Sequence, residues 1–200
     1  MDQDSPVDYY EALQISTSAE PETVHRVLIF MRLDPVKGVE KVFPAVERLS
    51  AMVDVTALAW GPLTDEYVSR YGAFVHFVEP VPHDQIGPFL EQFDLVVGQM
   101  EQGALGLSEV ESMAAGKPLI SGIDRSMYPV DKPPVVFADN PDLLIEQIQV
   151  LKHDSRRLAN LAHEGREWVR RNHGYERHLE LLESAYFGSR SRASATPTER

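Results

Sequence analysis

The stretch Gly103-Ala104-Leu105-Gly106-Leu107-Ser108-Glu109-Val110-Glu111-Ser112-Met113-Ala114-Ala115-Gly116-Lys117-Pro118 decides how the rest of this chain is read. Gly103 and Gly106 carry no Cβ, which frees the backbone to approach a ligand closely. Residues 107–115 then read as a helix, and Gly116-Lys117-Pro118 as its stop: glycine terminates, proline prevents continuation. A helix placed after a glycine-containing loop presents its first N–H groups to an anion. Ser108 is spaced to cap this helix, with Glu111 three residues on completing a capping box. Glu111 has a second reading, because a carboxylate is also the group that grips vicinal hydroxyls.

Working outward, the pattern switches between two periods. Upstream, residues 95–99 form a short apolar run of strand length; downstream, residues 118–122 form another. Further strands are expected at 24–31, 53–59, 73–78 and 135–138. Helices are expected at 39–52, where Val39, Val42, Phe43, Val46 and Leu49 share one face, and at 64–71 and 83–93. Beyond residue 140 the pattern is wholly helical, in three segments at 141–152, 155–172 and 175–186. Strands alternating with helices of these lengths predict βαβ units and a parallel sheet. The expected fold is α/β: a single Rossmann-like domain with helices on both faces of a parallel sheet, plus the C-terminal helices. In such sheets ligands bind at the carboxyl ends of the strands, which directs attention to the loops after residues 31, 59, 78, 99 and 122.

The first of these loops reads Met31-Arg32-Leu33-Asp34-Pro35-Val36-Lys37-Gly38. Arg32 and Lys37 stand five residues apart, beside the start of a helix, in a pattern suited to a phosphate or diphosphate. The same spacing suits two solvated surface charges with Gly38 as a turn residue.

Composition narrows the functional classes. The 200 residues carry 31 acidic against 19 basic side chains, a formal charge of −12, which repels a phosphate backbone and argues against nucleic acid as partner. With 0 cysteines, a disulfide framework, a thiolate zinc site and a catalytic thiol are excluded, and a reducing cytoplasm is the setting that fits. The N-terminus is acidic, without the basic and apolar regions of a signal peptide, and no apolar run has transmembrane length. Residues 1–22 read as an arm or linker and residues 189–200 as a disordered tail, leaving 23–188 as the domain.

The motifs just quoted carry a family resemblance. Residues 106–118 closely resemble the G-L-x-x-x-E-x-M-A-x-G-K-P signature of retaining GT-B glycosyltransferases of the family-4, or group 1, type. Arg32, Leu33, Lys37 and Gly38 match that family's G-R-L-x-x-x-K-G, Gly61-Pro62 its G-x-G-P, and the turn at residues 79–86 its G-x-V-P-x-x-x-I/L. The resemblance implies a C-terminal donor-binding domain that takes a nucleotide-diphosphate sugar. It implies that Arg32 and Lys37 neutralise the diphosphate and act as the catalytic cations. It assigns Glu111 to the ribose hydroxyls, the backbone of Gly106, Leu107 and Ser108 to phosphate or sugar, and Val81 and Ile86 to the base. No metal is expected at the donor site. Two departures accompany it: Gly103 stands where the family has a sugar-contacting glutamate, and Met31 replaces the family's first glycine.

Enzymes of this type have two Rossmann-like domains with the active site between them, and the acceptor domain lies outside this pattern. The resemblance therefore implies a partner for transfer, either a separate acceptor-domain chain or another copy in a homo-oligomer. Two further readings stand beside the transferase half: a non-catalytic nucleotide-binding or interaction module of the same fold, and an epimerase of the same architecture. Among other residues, Trp60 is expected to pack a loop, with base stacking left open by its place near the cleft, His83 to lie beside the cleft, and Trp168, Leu179, Leu182 and Tyr186 to be core.

Overall fold

The computed structural model of the protein describes residues 22–187; the expected arm and tail lie outside them but for residue 22. Six strands form one sheet: β1 (Arg26–Ile29), β2 (Asp54–Leu58), β3 (His76–Val78), β4 (Leu95–Val97), β5 (Leu119–Ser121) and β6 (Val136–Phe137). Their spatial order is β3-β2-β1-β4-β5-β6 and every pairing is parallel. The central strands are largely apolar and buried, with every residue of β4 and β5 buried, as a sheet covered on both faces requires. The sheet is the parallel α/β arrangement that the alternating periods predict.

Eight α-helices are described: α1 (Val39–Val42), α2 (Val46–Ser50), α3 (Thr64–Tyr71), α4 (Ile86–Glu91), α5 (Leu107–Ala114), α6 (Pro141–Lys152), α7 (Ser155–His173) and α8 (Tyr175–Phe187). Two apolar layers lie against the sheet. In one, Val39, Val42, Phe43, Val46 and Leu49 join Leu144, Ile148 and Leu151 of α6. In the other, Leu90 of α4, Val110 and Met113 of α5, and Trp168 and Val169 of α7 meet Leu28, Val96 and Leu119.

Three expectations need correction. The helix expected at 39–52 is divided by a 3-10 turn, Phe43–Ala45: Pro44 has no N–H for an α-helical hydrogen bond, so the turn tightens there. The buried stripe nonetheless continues through the break. The strand expected at 73–78 pairs only from His76, at the sheet's edge. On α8, Leu179, Leu182 and Tyr186 are exposed; α8 packs on α7 rather than on the sheet, and only Trp168 of the expected core group is buried.

The end of α5 follows the sequence closely. Gly116 has φ +67°, a left-handed conformation that costs other L-residues about 1–2 kcal/mol. Its N–H donates to the Met113 carbonyl and that of Lys117 to the Ser112 carbonyl, both 2.9 Å, a Schellman closure. The turn aims Pro118 directly into β5.

Candidate functional site

The order of the sheet reverses between β1 and β4, so the loops leaving their carboxyl ends diverge to opposite sides. A crevice opens there, where α/β proteins hold ligands. The β1 loop is built by Asp34, whose carboxylate accepts from the Val36 N–H at 3.1 Å and starts the 3-10 turn Pro35–Lys37. That turn carries Lys37 back toward β4, where its carbonyl accepts from the Met100 N–H at 2.9 Å and its Nζ donates to Gln102 Oε1 at 2.7 Å. Arg32 lies on the other flank. Its guanidinium sits over the Trp60 ring, with Cζ 5.8 Å from the centroid, and its Nε is 3.8 Å from Asp34 Oδ2. The Leu33 N–H donates to the Trp60 carbonyl at 2.7 Å, tying the β1 and β2 loops together.

The β4 loop is organised by Gln99, which is 1% exposed. Its Oε1 accepts from the N–H groups of Glu101 and Gln102 and its Nε2 donates to the Ala104 carbonyl. The loop ends on Gly106, the N-cap of α5. The expected capping box is displaced. With Gly106 as cap, the third helical residue is Glu109, not Glu111, and Glu109 Oε2 accepts from the Gly106 N–H at 2.7 Å. Ser108 lies inside the helix, where its carbonyl accepts from Ser112 Oγ at 2.6 Å.

Glu111 is thereby released from any capping role. Its side chain is 3% exposed and its Oε1 lies 3.4 Å from His83 Nε2, on the turn that follows β3. Arg32, Lys37, Val81, Ile86, Gly106, Leu107, Ser108 and Glu111 all border one cavity of about 490 Å³. Its wall carries both signs of charge: Arg32, Lys37 and the amino end of α5, together with the buried carboxylates of Glu109 and Glu111. The exposed flank of Trp60 and the side chains of Val81 and Ile86 supply apolar walls. A hollow of about 590 Å³ lies at the opposite ends of the strands, against Arg26, Asp54 and His76, away from these loops.

One participant was not anticipated from the sequence. Glu109 is 2% exposed, and its spacing of three from Gly106 is that of a capping carboxylate once glycine is admitted as the cap. Trp60 is 51% exposed and borders the cavity, the cleft position that the sequence left open to it. Among the described residues no group of three or more His, Asp or Glu side chains is arranged to hold a metal ion, and no helix is long and apolar enough to cross a membrane.

Comparison with known proteins agrees with this arrangement. The family model described as glycosyl transferase-like matches residues 40–184, and the chain belongs to that family. No curated protein sequence matches it. Among solved structures it is similar to Staphylococcus aureus TarM, crystallised with UDP, at 19% identity and a TM-score of 0.68; the match covers 86% of this chain and 37% of TarM. It is also similar to Anabaena HepE in complex with UDP and glucose, at 19% identity and a TM-score of 0.65, covering 92% of this chain and 53% of HepE. A third likeness is to the C-terminal domain of the group 1 glycosyl transferase LpcC from Francisella tularensis, at 18% identity and a TM-score of 0.58, covering 86% of this chain and 94% of that domain. The fold is thus that of the C-terminal domain of a group 1 GT-B glycosyltransferase. The chain spans well under two thirds of TarM and HepE.

Proposed function

We propose that this domain binds the diphosphate and ribose of a nucleotide-sugar and forms the donor half of a glycosyl-transfer site, the acceptor half coming from a separate domain. The observation that carries this reading is the convergence of Arg32, Lys37, the amino end of α5 and the Glu111 carboxylate on one cavity. In it, Arg32, Lys37 and the amides of Leu107 and Ser108 take the diphosphate. Helix amino ends leave these first N–H groups without an intrahelical acceptor. Glu111 takes the ribose hydroxyls, and Val81 and Ile86 flank the base. The same cations stabilise negative charge as it develops on the leaving diphosphate, so binding and chemistry draw on one pair of side chains.

UDP in the TarM and HepE crystals supports the ligand class. That this chain spans 37% of TarM and 53% of HepE supports a further, acceptor-type domain taking part in transfer. A cytoplasmic setting fits a chain with 0 cysteines. A second reading, a nucleotide-binding module without transfer activity, is favoured by Gly103, which offers no side chain to the donor sugar.

Calorimetric titration with UDP, GDP and ADP tests the proposal. Binding of at least one is expected, weakened about tenfold or more in Arg32→Ala and in Lys37→Ala by loss of a charge-assisted contact. Absence of binding to all three at millimolar concentration overturns it. Sugar transfer on mixing with a candidate acceptor domain separates the two readings.

A further inference from the structure

Glu109 is a carboxylate buried inside the anion-binding end of the cavity, an arrangement that a phosphate site does not need. Its Oε1 accepts from the Gln99 N–H at 2.8 Å and its Oε2 from the Gly106 N–H at 2.7 Å. It therefore occupies the amide immediately before those of Leu107 and Ser108, which take the diphosphate. A Cβ added at Gly106 would stand 2.8 Å from Glu109 Oε2 and 4.0 Å from Lys37 Nζ, so carboxylate and ammonium flank the same backbone atom. The side chain has little room to leave. A Cβ at Gly98 would lie 2.6 Å from both Glu109 Cγ and Oε1, and the residue is 2% exposed.

An incoming diphosphate thus meets a fixed anion that cannot swing away. Repulsion between the two is relieved by neutralising Glu109. Ser121 opposes that proton only weakly: its single hydroxyl hydrogen is divided between the Gln99 carbonyl at 2.7 Å and Glu109 Oε1 at 3.3 Å, so it can turn wholly to the carbonyl once the carboxyl is neutral. We propose that binding of a nucleoside diphosphate in this cavity is coupled to uptake of one proton from solvent by Glu109. This inference rests on the nucleotide-binding reading above and specifies how that site handles charge.

The electrostatics point the same way. Burial pushes the Glu109 carboxyl up; the amides of Gln99 and Gly106, the Lys37 charge and the Ser121 hydroxyl act against that rise. A bound diphosphate spends the Lys37 charge and adds two or more negative charges, so the protonated form gains. Around the carboxyl, the strand ends contribute only the uncharged Gln99 and Ser121, and Lys37 is the cation from the β1 loop. Arg32, His83 and Glu111 complete the ionisable groups on the cavity wall.

The experiment is calorimetry of UDP binding in two buffers of different ionisation enthalpy, repeated from pH 8 to pH 6. It compares the natural chain with Glu109→Gln and with Glu101→Gln, an exposed carboxylate paired with Lys41. Proton exchange by the nucleotide itself is common to all three and cancels in the comparison. The natural chain and Glu101→Gln are expected to take up at least about half a proton more than Glu109→Gln, and to gain affinity by up to about tenfold per pH unit lowered relative to it. Equal proton counts with UDP still bound overturn the coupling alone. No UDP binding by any of the three overturns the nucleotide reading and the coupling with it. Should Glu109→Gln fail to fold, Ser121→Ala decides: losing the hydroxyl's hydrogen bond to the charged carboxylate is expected to move the affinity change to higher pH, and an unaltered profile overturns the proposal.

Discussion

The Arg32 guanidinium is held over the face of Trp60, 5.8 Å from the ring centroid, so a cation of the β1 loop is oriented by an aromatic of the β2 loop. The pair is backed by the hydrogen bond from the Leu33 N–H to the Trp60 carbonyl. A cation stacked at a half-exposed site is held by about 0.5–1 kcal/mol. Trp60→Ala is therefore expected to weaken nucleoside diphosphate binding roughly two- to fivefold through loss of Arg32 orientation. Fluorescence competition or calorimetry reads this; an affinity equal to that of the natural chain removes Trp60 from the site.

Gly116 closes α5 in a left-handed conformation, and a Cβ there would meet the Arg166 guanidinium at 2.2 Å. Gly116→Ala is expected to lose about 1–2 kcal/mol of unfolding free energy from backbone strain alone. Movement of the Arg166 guanidinium adds to that. Urea denaturation measures the loss, and a variant as stable as the natural chain contradicts the geometry.

Phe43 has no exposed surface and joins Tyr67 edge-on at 4.6 Å, Tyr71 at 5.2 Å and Phe77 at 6.2 Å between ring centroids. Phe43→Ala is expected to cost about 3–5 kcal/mol, while Phe43→Leu, which refills most of the volume, costs less. Comparable losses in the two variants would mean that packing volume is not what Phe43 provides.

Asp131 fastens the loop before β6 to α7: its carboxylate accepts from Asn172 Nδ2 at 2.8 Å and from Arg171, and its carbonyl from Trp168 Nε1 at 3.1 Å. The Asn172 hydrogen bond, with Arg171 assisting, holds the carboxyl below its ordinary value of 3.8. A depressed folded value means that the stabilisation is present above the ordinary value and is lost as pH falls through the folded one. Asp131→Asn is expected to be less stable near neutral pH, by less than about 1 kcal/mol at so exposed a pair. The difference should fade in acid. A constant difference across thermal melts from pH 7 to pH 2 rules out the charge as its source.

Much of this arrangement was legible because the informative residues act locally. The helix at 107–115, its stop at Gly116 and the entry of Pro118 into a strand follow from backbone preferences that need no tertiary partner. Arg32 and Lys37 were legible as a pair, and the family pattern placed them with Glu111. What escaped detection depends on contacts made after folding. Pro44 divides a helix whose apolar stripe runs on through the break, so periodicity alone gave no warning. Ser108 was expected to cap by its side-chain chemistry, and only the helix start fixed by the Gln99 loop transferred the reach-back role to Glu109. Leu179, Leu182 and Tyr186 carry core chemistry on a helix that the fold sets against α7, outside the two covered faces of the sheet.

The position of the cavity also has a kinetic consequence. β1 and β4 lie side by side, yet Val27 and its partner Leu95 are 68 residues apart, the same separation as the bond from the Arg26 N–H to Asp94. Arg32 and Lys37 cannot face the Gly106 loop until that span of chain has closed, and long closures come late and slowly in folding. Ligand capture during refolding is therefore expected to lag behind helix formation, making the nucleotide a reporter of the final closure event.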